Sequence, residues 1–178
     1  MATLEDLLTK LPPSVGFDAE VKYPCYKKLN HSIPYEEMNK FVDAILEEMI
    51  KHAGDRRIFF SSFDPLIVIM LKLKQKRWPV FQLFEKTRKE SIDQMVAKIR
   101  SYALIHQKIG VEGFVGDSNH LMQVPYMIKE IKDMNFMFFT YGDQNLTKEG
   151  IHNQLKLGIN GICTDSVPIC KEALQDEL

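Results

Sequence analysis

Cysteine is scarce and unpaired in this chain. Cys25, Cys163 and Cys170 form an odd, irregular set, which argues against a disulfide framework and favours a reducing, cytoplasmic setting. No signal peptide precedes the first helix-like segment, which points the same way. An excess of charge of one sign is also missing. With a formal net charge of -1 and 26% charged residues, there is neither a basic stripe for nucleic acid nor an acidic tail signalling disorder. Long apolar runs are absent too: Leu66 to Leu71 is far shorter than a membrane span and is bordered by charge, so the chain reads as soluble, without a membrane partner. No strand-like run is followed by the glycine-rich phosphate loop common in open nucleotide-binding sheets. What remains is 45% apolar content in 178 residues, enough for a substantial core in a single domain.

The hydrophobic pattern alternates between periods. A helix-like stretch from Thr3 to Leu11 stops at Pro12-Pro13, and a strand-like run follows from Gly16 to Pro24. Its period of two sets Phe17, Ala19 and Val21 on one face and Asp18, Glu20 and Lys22 on the other. From Pro34 onward, Met38, Phe41, Val42, Ile45, Leu46 and Met49 recur at three and four, predicting an amphipathic helix with Glu36 and Glu37 in its first turn. Arg57–Phe60 then reads as a strand leading into Ser61-Ser62-Phe63-Asp64-Pro65 and a helix over Leu66–Lys74. The alternation continues with a strand over Val80–Phe84, a helix over Ile92–Lys108, a weaker strand at Gly113–Val115 and a helix over Tyr126–Lys132. It closes with a strand over Phe136–Tyr141, a helix over Lys148–Leu157, a strand over Gly161–Asp165 and a helix over Val167–Leu174. Such units argue for a parallel sheet with helical crossovers. Five or six strands are too few for a complete eight-stranded barrel, although polar residues at several strand ends favour a barrel over an open sheet.

Those strand ends carry the chemistry. Glu20 and Lys22, spaced about 6 to 7 Å along one strand face, suit either a salt bridge or a shared task. In the second reading Glu20 gives oxygen to a hard divalent metal while Lys22 holds phosphate. Asp18 shares their face but precedes them in the strand, and suits a structural partner or a position outside the sheet altogether. Ser62 can donate to phosphate, but Asp64 and Pro65 equally make this segment a helix entry, with Asp64 capping and Pro65 in the first turn. Phe63 suits a pocket rim or core filling; Thr140 and Asp165 suit capping ahead of chemistry. The five histidines fall in loops or helix-like stretches. Among them His120, after Gly116-Asp117-Ser118-Asn119, lies in a loop able to cover a site. Cys25 has no histidine partner for a thiol nucleophile and is assigned to packing.

Four segments in order resemble the glycerophosphodiester phosphodiesterase family: Gly16–Pro24, Ile58–Pro65, Phe138–Asp143 and Gly158–Asp165. Within it, the chain looks like the animal cytosolic branch acting on glycerophosphocholine. The resemblance covers the chain from Leu4 onward. It implies a (β/α)8 TIM barrel that uses Mg2+ or Ca2+ to hydrolyse glycerophosphocholine, or a related glycerophosphodiester, to glycerol 3-phosphate and choline. It assigns Glu20 to metal, Lys22 to catalysis and phosphate, and Ser62 and Phe63 to the substrate wall. Phe139 stands where many members have tryptophan, keeping an aromatic surface without the indole donor, and Asp165 matches the closing threonine-aspartate.

The departure is as informative. The family's His-Arg-Gly strand, its Glu-x-Asp metal strand and its second catalytic histidine have no counterpart among these 178 residues. The expectation is therefore the C-terminal portion of a barrel lacking approximately its first three strands, with residues 1–178 forming one partial catalytic domain. Without the acid-base groups, worth about 10² to 10⁴ in rate each, the chain alone is expected to be inactive or nearly so. A non-catalytic variant with a binding or regulatory role is the alternative. Incomplete barrel edges suggest self-association.

Overall fold

The computed structural model describes residues 2–23 and 35–175, without the side chains of 35 and 36. Pro24, Cys25, His31 and the start of the helix expected from Pro34 lie outside the described residues. The chain divides into two compact units, 1–80 and 81–178.

In the first unit, α1 (Leu4–Lys10) begins at a capping box in which Thr3 Oγ1 accepts from the Asp6 amide and the Asp6 carboxylate accepts from the Thr3 amide. The helix ends at Leu11, immediately before the two prolines. Strand β1 (Phe17–Glu20) is shorter than its alternating pattern suggests, because pairing with β2 (Ile58–Ser62) stops at Glu20 opposite Ser61. The two strands run parallel. Between them lies α2 (Tyr35–His52), which buries Met38, Val42, Leu46 and Met49 at helical spacing. Asp64 caps α3 (Pro65–Lys74) by accepting from the Leu66 amide, with Pro65 at its first position. Ile67, Val68 and Leu71 are buried, and Phe60 meets Trp78 edge-on at 5.9 Å.

The second unit holds most of β3 (Val80–Phe84), then β4 (Gly113–Asp117), β5 (Met137–Tyr141) and β6 (Gly161–Ile162), parallel and in chain order. Helix α4 (Ile92–Ile109) starts at the Ser91/Gln94 capping box and stops at Gly110, whose φ of 79° favours a residue without Cβ. Short α5 (Ser118–Leu121), α6 (Tyr126–Asp133), α7 (Lys148–Lys156) and α8 (Val167–Gln175) complete the unit. Phe84, Phe114 and Phe138 share a core with Met95, Ile99, Met127 and Ile128 from the helices.

Two further boundaries differ from the sequence pattern. Strand β4 reaches Asp117, and the following residues turn directly into α5 because Asp117 Oδ1 accepts from the Asn119 amide. The segment expected as a loop is thus a strand end and a capped helical turn. Strand β6 has only two residues, as its pairing with β5 covers only Phe139–Gly161 and Thr140–Ile162.

Candidate active site

The pleat of the first unit decides which polar groups meet. Register sets Asp18 beside Phe59 and Glu20 beside Ser61, on one face of the paired strands. Ser61 Oγ donates to Asp18 Oδ1 at 2.7 Å. Partial desolvation raises the Asp18 carboxyl above its ordinary range; the Ser61 bond offsets part of this, and the nearby Glu20 charge adds to the rise. Lys22 Nζ lies 3.1 Å from Glu20 Oε2, so the two do form the salt bridge their spacing allowed. The Lys22 side chain is 74% exposed, within reach of an arriving anion.

Ser62 faces the other way. It is buried, its Oγ donates to the Val21 carbonyl at 2.8 Å, and the same oxygen accepts from the Asp64 amide at 3.2 Å. Phe63, just beyond the strand, is exposed. Ser61, rather than Ser62, shares the Glu20 face; two adjacent serines at a strand end carry no sequence signal that separates them until register is known.

The second unit repeats the pattern. Phe139 lies on the face opposite the helix-covered core and stacks on Phe81 with ring centroids 4.7 Å apart. Tyr141 and Asp117 are register partners on that same face, and Tyr141 Oη donates to the Phe84 carbonyl at 3.2 Å. Thr140 alternates to the buried side, where Asn145 Nδ2 lies 3.3 Å from its Oγ1 and donates to its carbonyl oxygen at 3.0 Å. Beyond β5 and β6 a cavity of about 340 Å³ is lined by Tyr141, Gly142, Asp143, Leu146, Cys163, Thr164 and Asp165. Asp165 is exposed there, and Thr164 Oγ1, not Asp165, accepts from the Ser166 amide. His120 Nδ1 lies 3.4 Å from Asp117 Oδ2, placing the histidine beside a strand-end carboxylate. Asp117, Tyr141 and Asn145 were not singled out from sequence; an alternation count continued through Asp117 and Tyr141 would have found the first two.

For a divalent cation, Glu20 is a fitting oxygen donor and Asp18 stands on the same face. A hard ion takes six or more oxygens, so two carboxylates would make only part of a coordination sphere. Among the described residues, the single group of three ligand side chains close enough to share an ion is elsewhere: Glu5, Glu48 and His52.

Parallel strands alternating with helices, with polar side chains at strand ends, define the incomplete (β/α)-barrel class of fold, and they do so without fixing a reaction. Residues 1–168 match the Glycerophosphoryl diester phosphodiesterase family, and the chain belongs to that family. It is similar to the glycerophosphocholine phosphodiesterases of Candida albicans, 32% identical over 98% of this chain and 15% of the relative, and of Homo sapiens, 30% identical over 93% and 26%. A solved phosphodiesterase of Oleispira antarctica, in complex with the product sn-glycerol-3-phosphate, shares the fold with a TM-score of 0.67 and 12% identity, over 90% of this chain and 55% of that one. The chain thus spans about a seventh to a quarter of these curated relatives. The similar identities to fungal and animal relatives do not single out the animal branch.

Proposed function

We propose that residues 1–178 are part of a phosphodiesterase catalytic domain that hydrolyses glycerophosphocholine to glycerol 3-phosphate and choline. The observation that carries this reading is the Glu20–Lys22 pair at the carboxyl end of β1, within a family match covering most of the chain. Glu20 supplies one oxygen to Mg2+ or Ca2+; when bound, that cation withdraws charge from the phosphate. Lys22 leaves Glu20 to bind the phosphate oxygens and offsets the negative charge gained as water, or a hydroxyl of the glycerol moiety, bonds to phosphorus and the bond to the choline oxygen breaks, that oxygen taking its proton from a histidine of the family's motifs. Within the first unit, exposed Phe63 borders the phosphate, while Ser62, turned to the Val21 carbonyl, supports the strand end; within the second, Phe139 gives an aromatic surface, Thr140 supports its strand end through Asn145, and exposed Asp165 stands at the rim. We place the protein in the cytoplasm and expect self-association through strand edges.

The expected outcome is little or no choline release by the 178-residue chain alone, since acid-base histidines in the family's motifs are absent from its sequence. In a longer protein containing this chain and that region, choline release with Mg2+ or Ca2+ should fall by about 10² or more in Glu20→Gln. Equal release by both proteins would remove Glu20 from the reaction. A second reading, a non-catalytic binding or regulatory variant, draws on the engagement of Lys22 with Glu20 and of Ser62 with Val21. It predicts glycerol 3-phosphate binding that weakens in Lys22→Ala, measured by calorimetry, without turnover in the longer protein.

A further inference from the structure

We propose that Glu5, Glu48 and His52 form a zinc-class metal site that clips α1 to α2. The three side chains come from both helices: Glu5 from the first turn of α1, Glu48 and His52 from successive turns of α2. Their ligand atoms all lie within 4.8 Å of one another. His52 Nε2 stands 3.7 Å from Glu5 Oε1 and 3.6 Å from Glu48 Oε2.

These separations are too long for hydrogen bonds, and Nε2 is shielded from solvent without a hydrogen-bond partner among the described residues. A buried ring nitrogen facing two carboxylates without such a bond is an uncompensated arrangement. Protonated, His52 would make two long ion pairs, a contact of little value at a protein surface. Neutral as the Nε2–H tautomer, it would face the carboxylates with a donor too distant to bond either; as the Nδ1–H tautomer, its lone pair would face two anions, which a cation between them would turn into attraction.

The geometry suits that cation. Two ligands about 2.0–2.1 Å from one zinc ion stand about 3.3–3.6 Å apart at bond angles of about 110–120°, close to the 3.7 and 3.6 Å from His52 Nε2 to the Glu5 and Glu48 carboxylates. One imidazole with two carboxylates selects zinc or a neighbouring transition metal over Mg2+ or Ca2+, which favour all-oxygen sets. The His52 side chain is 15% exposed, while Glu48 and Glu5 are 42% and 58% exposed, leaving a route for the ion and for water as a fourth ligand. The spacing of Glu48 and His52 presents both on one helix face, and Glu5 requires α1 to be docked. Metal binding is therefore coupled to the attachment of α1. The site is separate from the hydrolytic reading, since it excludes Glu20 and Lys22.

The test uses the tag-free 178-residue chain, stripped with chelator and dialysed against limiting Zn2+. Elemental analysis should give one zinc per chain. Thermal unfolding should shift upward by roughly 5–10 °C when free zinc is about a hundredfold above Kd, and chelator should reverse the shift. Affinity should fall more than about tenfold, the scale on which even groups that merely orient a ligand act, in both Glu48→Gln and His52→Gln. The Cys163→Ser/Cys170→Ser variant should bind as the parent does. If His52→Gln does not fold, Glu48→Gln, at an exposed position, decides the matter. Substoichiometric zinc, unchanged affinity in Glu48→Gln, loss of binding in the cysteine variant, or equal binding of Mg2+ would each overturn the assignment.

Discussion

His106 shows how a single buried side chain ties stability to pH. It is 1% exposed, and its Nε2 is 3.0 Å from Gln82 Oε1 while Nδ1 has no hydrogen-bond partner among the described residues. Burial pushes its pKa down from 6.5 to about 4. The unfolded chain therefore takes up a proton near pH 6.5 that the folded chain refuses until about pH 4. Stability is complete above the higher value and declines as pH falls between the two, by about 2 kcal/mol after allowance for residual screening. Urea unfolding from pH 7 to pH 4 should show this loss, and His106→Leu should lessen it. Asn145 makes a second residue-level case. Its Nδ2 donates to the Thr140 and Cys163 carbonyls at 3.0 and 2.9 Å, and its Oδ1 accepts from Gln154 Nε2 at 2.8 Å. Asn145→Ala strands these buried groups and should cost about 2–4 kcal/mol by urea denaturation.

At the scale of elements, Arg56 holds α1 and the chain after it. Its guanidinium donates to the carbonyls of Leu8, Leu11, Pro12 and Val15, at 3.1, 2.8, 2.5 and 2.6 Å, and lies 4.9 Å from the Phe17 ring centroid. Orphan carbonyls at a helix end and a proline-broken turn are thereby satisfied together. Arg56→Met retains much of the packing and removes every donor, so it should cost about 2–4 kcal/mol. Hydrogen exchange should quicken in α1 while β4 and β5 stay protected. Helix ends of this kind were legible in part: the Asp64-Pro65 entry was readable locally, whereas the Arg56 clamp links residues more than 40 positions apart. Strand order and alternation were legible too. The lengths of β1 and β6 were not, since a strand ends where its neighbour ceases to pair.

At the scale of the molecule, each unit has its own parallel strands and buried core. Strand edges give backbone groups another chain can use. Light scattering should therefore show a mass above 20.7 kDa that rises with concentration; a constant monomeric mass would dispose of edge-driven association. Among the described residues no helix is long and apolar enough to cross a membrane.

The sequence by itself determined the alternation of strands and helices, most helix faces and the kinship carried by the Glu20–Lys22, Ser61–Pro65 and Thr164–Asp165 segments, because these depend on local periodicity and short motifs. Tertiary structure decided which of those residues look the same way. Parallel register set Ser61 with Asp18 and Glu20 but turned Ser62 into the Val21 carbonyl. It aligned Asp117 with Tyr141 and drew Thr140 toward Asn145. It also brought Glu5 to Glu48 and His52 across more than forty residues. A one-residue step along a strand reverses a side chain's face, and only pairing with a neighbour fixes where those faces meet.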